Sequence, residues 1–91
     1  KYIEAQDKYT LAVTETGEYL MRKTMKFWES ALPFQDFARI HKSYLVNLEY
    51  FEKKGGEVLL DTGKTVKISR FRKNEVMEKY REFLRRKVEV M

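Results

Sequence analysis

Apolar and polar residues alternate through residues 9–14. Leu11 and Val13 fall on one face, and Thr10, Ala12 and Thr14 on the other, the period of a strand. Glu15-Thr16-Gly17 follows as a turn, with Gly17 free to take a positive φ, and residues 18–22 return as the partner strand. Tyr2 and Ile3 open an earlier extended segment that runs into a polar loop at residues 4–8. The spacing then changes. Met25, Trp28 and Leu32 stand at i, i+3 and i+7 behind Thr24, a good N-cap, which predicts a helix of about two turns lying across a sheet. Pro33 ends it, because a proline pushes the residue before it out of the α region.

Residues 37–40 predict a short extended piece. Residues 43–47 read as one helical turn, with Ser43 as cap, Leu45 and Val46 turned inward and Asn47 satisfying backbone groups after it. Residues 48–52 read as a strand, and Lys53-Lys54-Gly55-Gly56 as a loop. A second hairpin spans residues 57–61 and 65–69 around Asp61-Thr62-Gly63-Lys64, with Val66 and Ile68 buried and Lys67 and Ser69 wet. From Arg72 the period is helical, Val76, Tyr80, Phe83 and Leu84 forming a stripe that predicts core packing, with Ser69 or Asn74 as cap. The fold class this predicts is mostly β with minor α. It is an elongated antiparallel hairpin and sheet domain, 1–91 as one unit, with one short inner helix and a C-terminal helix.

Composition agrees with a folded chain: 43% of the 91 residues are hydrophobic and 14% aromatic. No apolar run approaches bilayer length, so no membrane contact is expected. There is no cysteine, which removes disulfides and thiol chemistry and fits a reducing, cytoplasmic setting. The chain opens on Lys1, not Met, and is read as part of a longer protein. Its net charge of +5 is unevenly spread. Residues 1–63 carry nine Lys/Arg against ten Asp/Glu, and residues 64–91 carry ten against four. A basic final third on a neutral body points to a polyanion-facing side.

Catalysis finds little footing. His41 is the only histidine. A Ser43–His41–Asp36 arrangement lacks both a nucleophile elbow and a glycine-rich oxyanion loop. No spacing resembles a zinc or calcium site, and no Gly-Lys-Ser/Thr follows Gly55-Gly56, so neither metal nor cofactor is expected and the chain does not read as an enzyme. Two clusters remain. Arg39, His41, Lys42 and Ser43 are framed by Phe37, Ile40, Tyr44, Leu45 and Val46; Ser69-Arg70-Phe71-Arg72-Lys73 follows one hairpin later. Cations and hydroxyls pinned by core residues suit phosphates and base edges.

Arg39-Ile40-His41-Lys42-Ser43-Tyr44-Leu45-Val46-Asn47, preceded by Phe37, resembles the signature of the LytTR DNA-binding domain, the output module of many bacterial response regulators of two-component systems. Tyr2-Ile3-Glu4-Ala5 with Asp7-Lys8-Tyr9-Thr10 resembles the family's first loop, Leu60-Asp61-Thr62-Gly63-Lys64 its hairpin, and Val66-Lys67-Ile68-Ser69-Arg70 the arm that follows. The likeness covers roughly residues 2–75. It departs at both ends: a further N-terminal extended segment is usual, whose absence would expose a sheet edge, and the C-terminal helix is longer than many relatives need.

The resemblance implies an elongated β fold that reads successive major grooves of double-stranded DNA with loops and turns, on direct-repeat half-sites, for transcription regulation. A second protomer would join through an N-terminal receiver-type domain absent from this chain. It implies base contacts at Lys42, Arg70 and Tyr9 or Thr10, and phosphate contacts at Lys8, Arg39, His41, Ser43, Arg72 and Lys73. Each has a plainer structural reading: His41 holding its own turn, Ser43 as a cap, Arg39 in a surface ion pair with Asp36 or Glu49, Tyr9 as packing. Arg72 and Lys73 stand where the helix dipole disfavours cations, which favours a functional reason. The rival is a protein-interaction module using the C-terminal helix and a sheet edge. Single-stranded RNA binding would need a row of aromatics, whereas Tyr9, Tyr19, Phe51 and Phe71 are scattered.

Overall fold

A computed structural model describes residues 1–60 and 62–90, apart from the side chains of residues 54, 89 and 90. Five strands form one antiparallel sheet: β1 (Tyr2–Gln6), β2 (Tyr9–Thr14), β3 (Gly17–Met21), β4 (Phe37–His41) and β5 (Tyr44–Asn47), in the order β3-β2-β1-β5-β4. Three short strands, β6 (Glu52–Lys54), β7 (Glu57–Leu59) and β8 (Thr65–Lys67), form a second antiparallel sheet. Helix α1 (Met25–Ala31) links β3 to β4, and α2 (Lys73–Val90) closes the chain. The protein is mostly β, as the alternation predicts.

The large sheet, apart from exposed β3, is covered on both faces. Tyr2, Val13, Ala38, Ile40, Tyr44 and Val46 pack from one face against Phe51, Val58, Leu60, Val66 and Ile68 of the small-sheet region and Val76 and Phe83 of α2. Ile3, Ala12 and Leu45 pack from the other face against Met25 of α1, with Trp28 and Leu32 half-buried beside them. The first hairpin is as predicted, Leu11 pairing with Leu20 and Ala12 with Tyr19. The Thr24 hydroxyl caps α1 by accepting from the Phe27 amide at 3.0 Å, and Leu32 leaves the helix extended before Pro33. The stripe on α2 faces inward through Val76, Phe83 and half-buried Tyr80, while Leu84 stays largely exposed.

Several expectations change, among them Lys53 and Lys54, read as loop, which belong to strand β6. Residues 44–47 are strand β5 and not a helical turn; three consecutive buried residues suit a strand covered on both faces. The single turn comes next, a 3₁₀ turn at Leu48–Tyr50 where a strand was expected, with Asn47 Oδ1 accepting from the Glu49 amide at 2.9 Å. The polar segment after Ile3 stays extended to Gln6, leaving a turn of only Asp7 and Lys8. β1 lies at the centre of its sheet, whose edge strands are β3 and β4. Asp61, placed in the second hairpin, lies outside the described residues.

β4 is irregular between Arg39 and His41, which leaves Ile40 without a ladder partner. Its side chain is fully buried, and its carbonyl accepts from the Ser69 amide at 2.8 Å. A bulge that frees one carbonyl thus stitches the segment after β8 to the end of β4. Lys64 makes a second tie between the sheet regions, donating from Nζ to the Tyr44 hydroxyl at 2.6 Å, and that bond raises its pKa above the usual lysine range.

Candidate nucleic-acid interface

Strand direction decides which loops meet. β1 is antiparallel to β2 and to β5, with Glu4 opposite Tyr44 and Gln6 opposite Tyr9. The β1–β2 turn and the β4–β5 turn at Lys42 and Ser43 therefore emerge at the same end of the sheet. β3 runs toward that end too, since Met21 pairs with Thr10, so Arg22 and Lys23 follow there. The Ser69–Ile40 bond brings the corner between β8 and α2 to the same place, where His41, Gly56, Lys67, Ser69, Arg70 and Lys73 line one open groove. Glu15, Asp36 and Glu49 lie at the opposite end, beside the β2–β3 turn, the start of β4 and the end of β5.

Lys8 is exposed at the tip of the β1–β2 turn, and Tyr9 beside it is 40% exposed. The Arg22 guanidinium sits 6.0 Å from the Tyr9 ring, joining a cation to that aromatic. Thr10 overturns its expectation. It is only 2% exposed, and its hydroxyl accepts from Trp28 Nε1 at 2.6 Å. Its face of β2 is covered by α1, so it anchors the helix to the sheet and offers nothing to a base.

Lys42 is exposed on the second turn, and the residues beside it brace it. His41 Nδ1 accepts from the Ser43 amide at 3.1 Å, which puts the proton of the neutral ring on Nε2. The Ser43 carbonyl accepts from the Ala5 amide at 2.8 Å, tying the turn to β1. Arg39 donates to the His41 carbonyl at 3.2 Å and to the Lys42 carbonyl, and pairs with Glu29 of α1. Its expected partner was Asp36 or Glu49; the observed one is Glu29, and its other bonds hold the turn. Ser43 caps no helix, since a strand follows it.

Arg70 and Lys73 are exposed at the third corner, on the groove shared with His41. Arg72 is separated from them. It is half-buried on a different cleft, with Trp28, Glu29, Glu75 and Lys79, so the predicted set splits between two sides of the α2 start. Asp36 lies at the far end of β4 from His41, so the Ser43–His41–Asp36 arrangement is not assembled. Among the described residues no group of His, Asp and Glu is placed to hold a metal ion.

The family model for the LytTr DNA-binding domain matches residues 1–81. The chain belongs to the LytTR family. Among solved structures it is similar to the LytTr DNA-binding domain of a Bacillus cereus protein described as a methyl-accepting/DNA response regulator. The TM-score is 0.73 at 24% identity, over 86% of this chain and 77% of that one, which shows a shared fold. Comparison with curated proteins gave no match. α2 runs to Val90, beyond the matched residues. The LytTR domain is a DNA-binding domain, and no described helix here is long and apolar enough to cross a membrane.

Sequence reading of this LytTR domain missed Arg22 and Lys23. Drawing the first hairpin to its end would have found them, because the last residue of β3 must lie beside the first residues of β2.

Proposed function

We propose that this domain binds double-stranded DNA sequence-specifically, laying the end of its large sheet across the duplex. The observation that carries the reading is the convergence of four connections bearing exposed cations: Lys8 after β1, Arg22 and Lys23 after β3, Lys42 after β4, and Arg70 with Lys73 after β8. Lys8, Lys73 and the His41–Ser43 turn contact phosphates, which supplies affinity through counterion release. Lys42, Arg70 and Tyr9 reach base edges. An ammonium donates to guanine O6 or N7 singly, and a guanidinium does so as a planar fork. Mechanism here is presentation, with no bond made or broken.

The domain acts as one unit and, on this reading, as the output part of a cytoplasmic bacterial response regulator. Two copies on direct-repeat half-sites, joined through a receiver-type domain, raise each other's occupancy by making the second contact intramolecular. The inward-facing stripe of α2 removes half of the surface that a protein-docking function would use.

Selection from a random duplex pool at two salt concentrations tests this. The expected result is an enriched sequence bound with steep salt dependence. Binding that ignores salt and enriches nothing overturns it.

A further inference from the structure

Phe71 is the most exposed large apolar side chain among the described residues, at 90%. It stands in the turn between β8 and α2, and that turn is firmly held. The Ile68 amide donates to the Gly56 carbonyl at 3.1 Å and the Ser69 amide to the Ile40 carbonyl at 2.8 Å. The Arg72 amide donates to the Ser69 carbonyl at 2.9 Å, and the Val76 amide to the Arg72 carbonyl at 2.9 Å. The ring is therefore displayed by a fixed backbone. Keeping a phenyl in water forgoes the burial that the nearby core would give it.

Its neighbours limit what it can meet. The Arg70 guanidinium lies 5.6 Å from the ring, and exposed Lys73 follows two residues on. An apolar protein pocket closing over Phe71 would strip water from these cations without an opposing charge. A duplex answers both demands, since a guanine edge receives Arg70, a phosphate pairs Lys73, and the major groove holds one apolar spot, the C5-methyl of thymine.

Resting on the DNA-binding reading above, we propose that Phe71 is a specificity-determining residue whose ring contacts a thymine methyl in the major groove, beside the contact made by Arg70. Lys73, two residues on, holds the phosphate that sets its depth.

The experiment uses the full chain and the duplex it selects. Each thymine is replaced in turn by deoxyuridine, which removes the methyl alone, and binding is followed by fluorescence anisotropy. At one position the wild type should lose affinity roughly three- to tenfold, the scale of one methyl contact. Phe71→Ala should bind the thymine duplex more weakly by a similar factor and become indifferent to uridine there. Its salt slope should be unchanged, because no charge is altered. Phe71→Ala keeping both the wild-type selection profile and the wild-type uridine response overturns the assignment while leaving DNA reading intact. A loss of DNA bending in Phe71→Ala with the uridine response kept also overturns it, in favour of a wedge between base pairs. A wild type that enriches no duplex overturns the DNA reading and this assignment with it.

Discussion

The Ser69 amide and the Ile40 carbonyl meet at 2.8 Å, joining the segment after β8 to a bulge in β4. One backbone bond thereby fixes the spacing between the Lys42 turn and the Arg70 corner. Ser69→Pro removes the donor and leaves a buried carbonyl unpaired, which should lower stability by roughly 1–3 kcal/mol. Below its melting temperature the folded variant should bind the selected duplex more weakly than wild type. Unchanged affinity in an anisotropy titration would show that this bond does not position the corner.

Thr10 and Trp28 test the correction at the first loop. Thr10→Val keeps the shape but takes the acceptor from Trp28 Nε1. Urea denaturation should show a loss of about 1–3 kcal/mol. The selected DNA sequence should stay the same. A changed base preference would mean that Thr10 reaches DNA after all.

Arg70 and Lys73 share a groove but should fail differently. Arg70→Ala should relax preference at one base position, at about 1–3 kcal/mol. Lys73→Ala should weaken all duplexes alike and reduce the salt slope by about 1. Selection profiles and titrations across salt separate the two outcomes.

Phe83 anchors α2 in the core that both sheets share. Phe83→Ala should destabilise by about 3–5 kcal/mol. Domains of this kind are held by only about 5–15 kcal/mol, so thermal unfolding should move sharply downward. A small shift would mean that α2 is dispensable to the core.

Lys79 donates to the Phe37 carbonyl at 2.7 Å and lies 3.6 Å over the Phe34 ring. Burial lowers its pKa below the usual lysine range, against the opposing pull of Glu75 and Glu29. The unfolded chain therefore holds this proton more tightly than the folded one. Stability from this group rises as pH climbs from the folded pKa toward the unfolded one. Lys79→Met lacks the effect. The Tm difference, wild type minus variant, should grow from pH 8 to pH 10, and a flat difference would contradict the assignment.

The sequence disclosed the strands with a strict alternation, because one face of each pattern carries the large apolar residues. Leu11 and Val13 do face the main core side, and Val66 and Ile68 are buried as expected. It misled at Tyr44, Leu45 and Val46, where a sheet covered on both faces makes consecutive positions apolar and erases the period. The same second covering explains Thr10. Its face was legible, but nothing local shows that α1 folds back over it and turns a wet position into an anchor. The partners of Arg39 and Arg72 were not legible because they are tertiary: Glu29, where Asp36 or Glu49 was expected, comes from α1, and the Arg72 cleft forms where α1 and α2 approach β4. Lys42, Arg70 and Lys73 were legible as exposed cations because charged residues in turns have few ways to be buried.

Asp7 adopts a left-handed φ of +51° in a turn just two residues long. The register this turn sets keeps Leu11 and Val13 toward the shared core and Thr10 toward Trp28; a slip of one position would exchange the two faces. Exposed Lys8 and Tyr9 can change without moving the strands, so DNA preference can change there while the scaffold stays. The tip can be re-spelled on an unchanged frame.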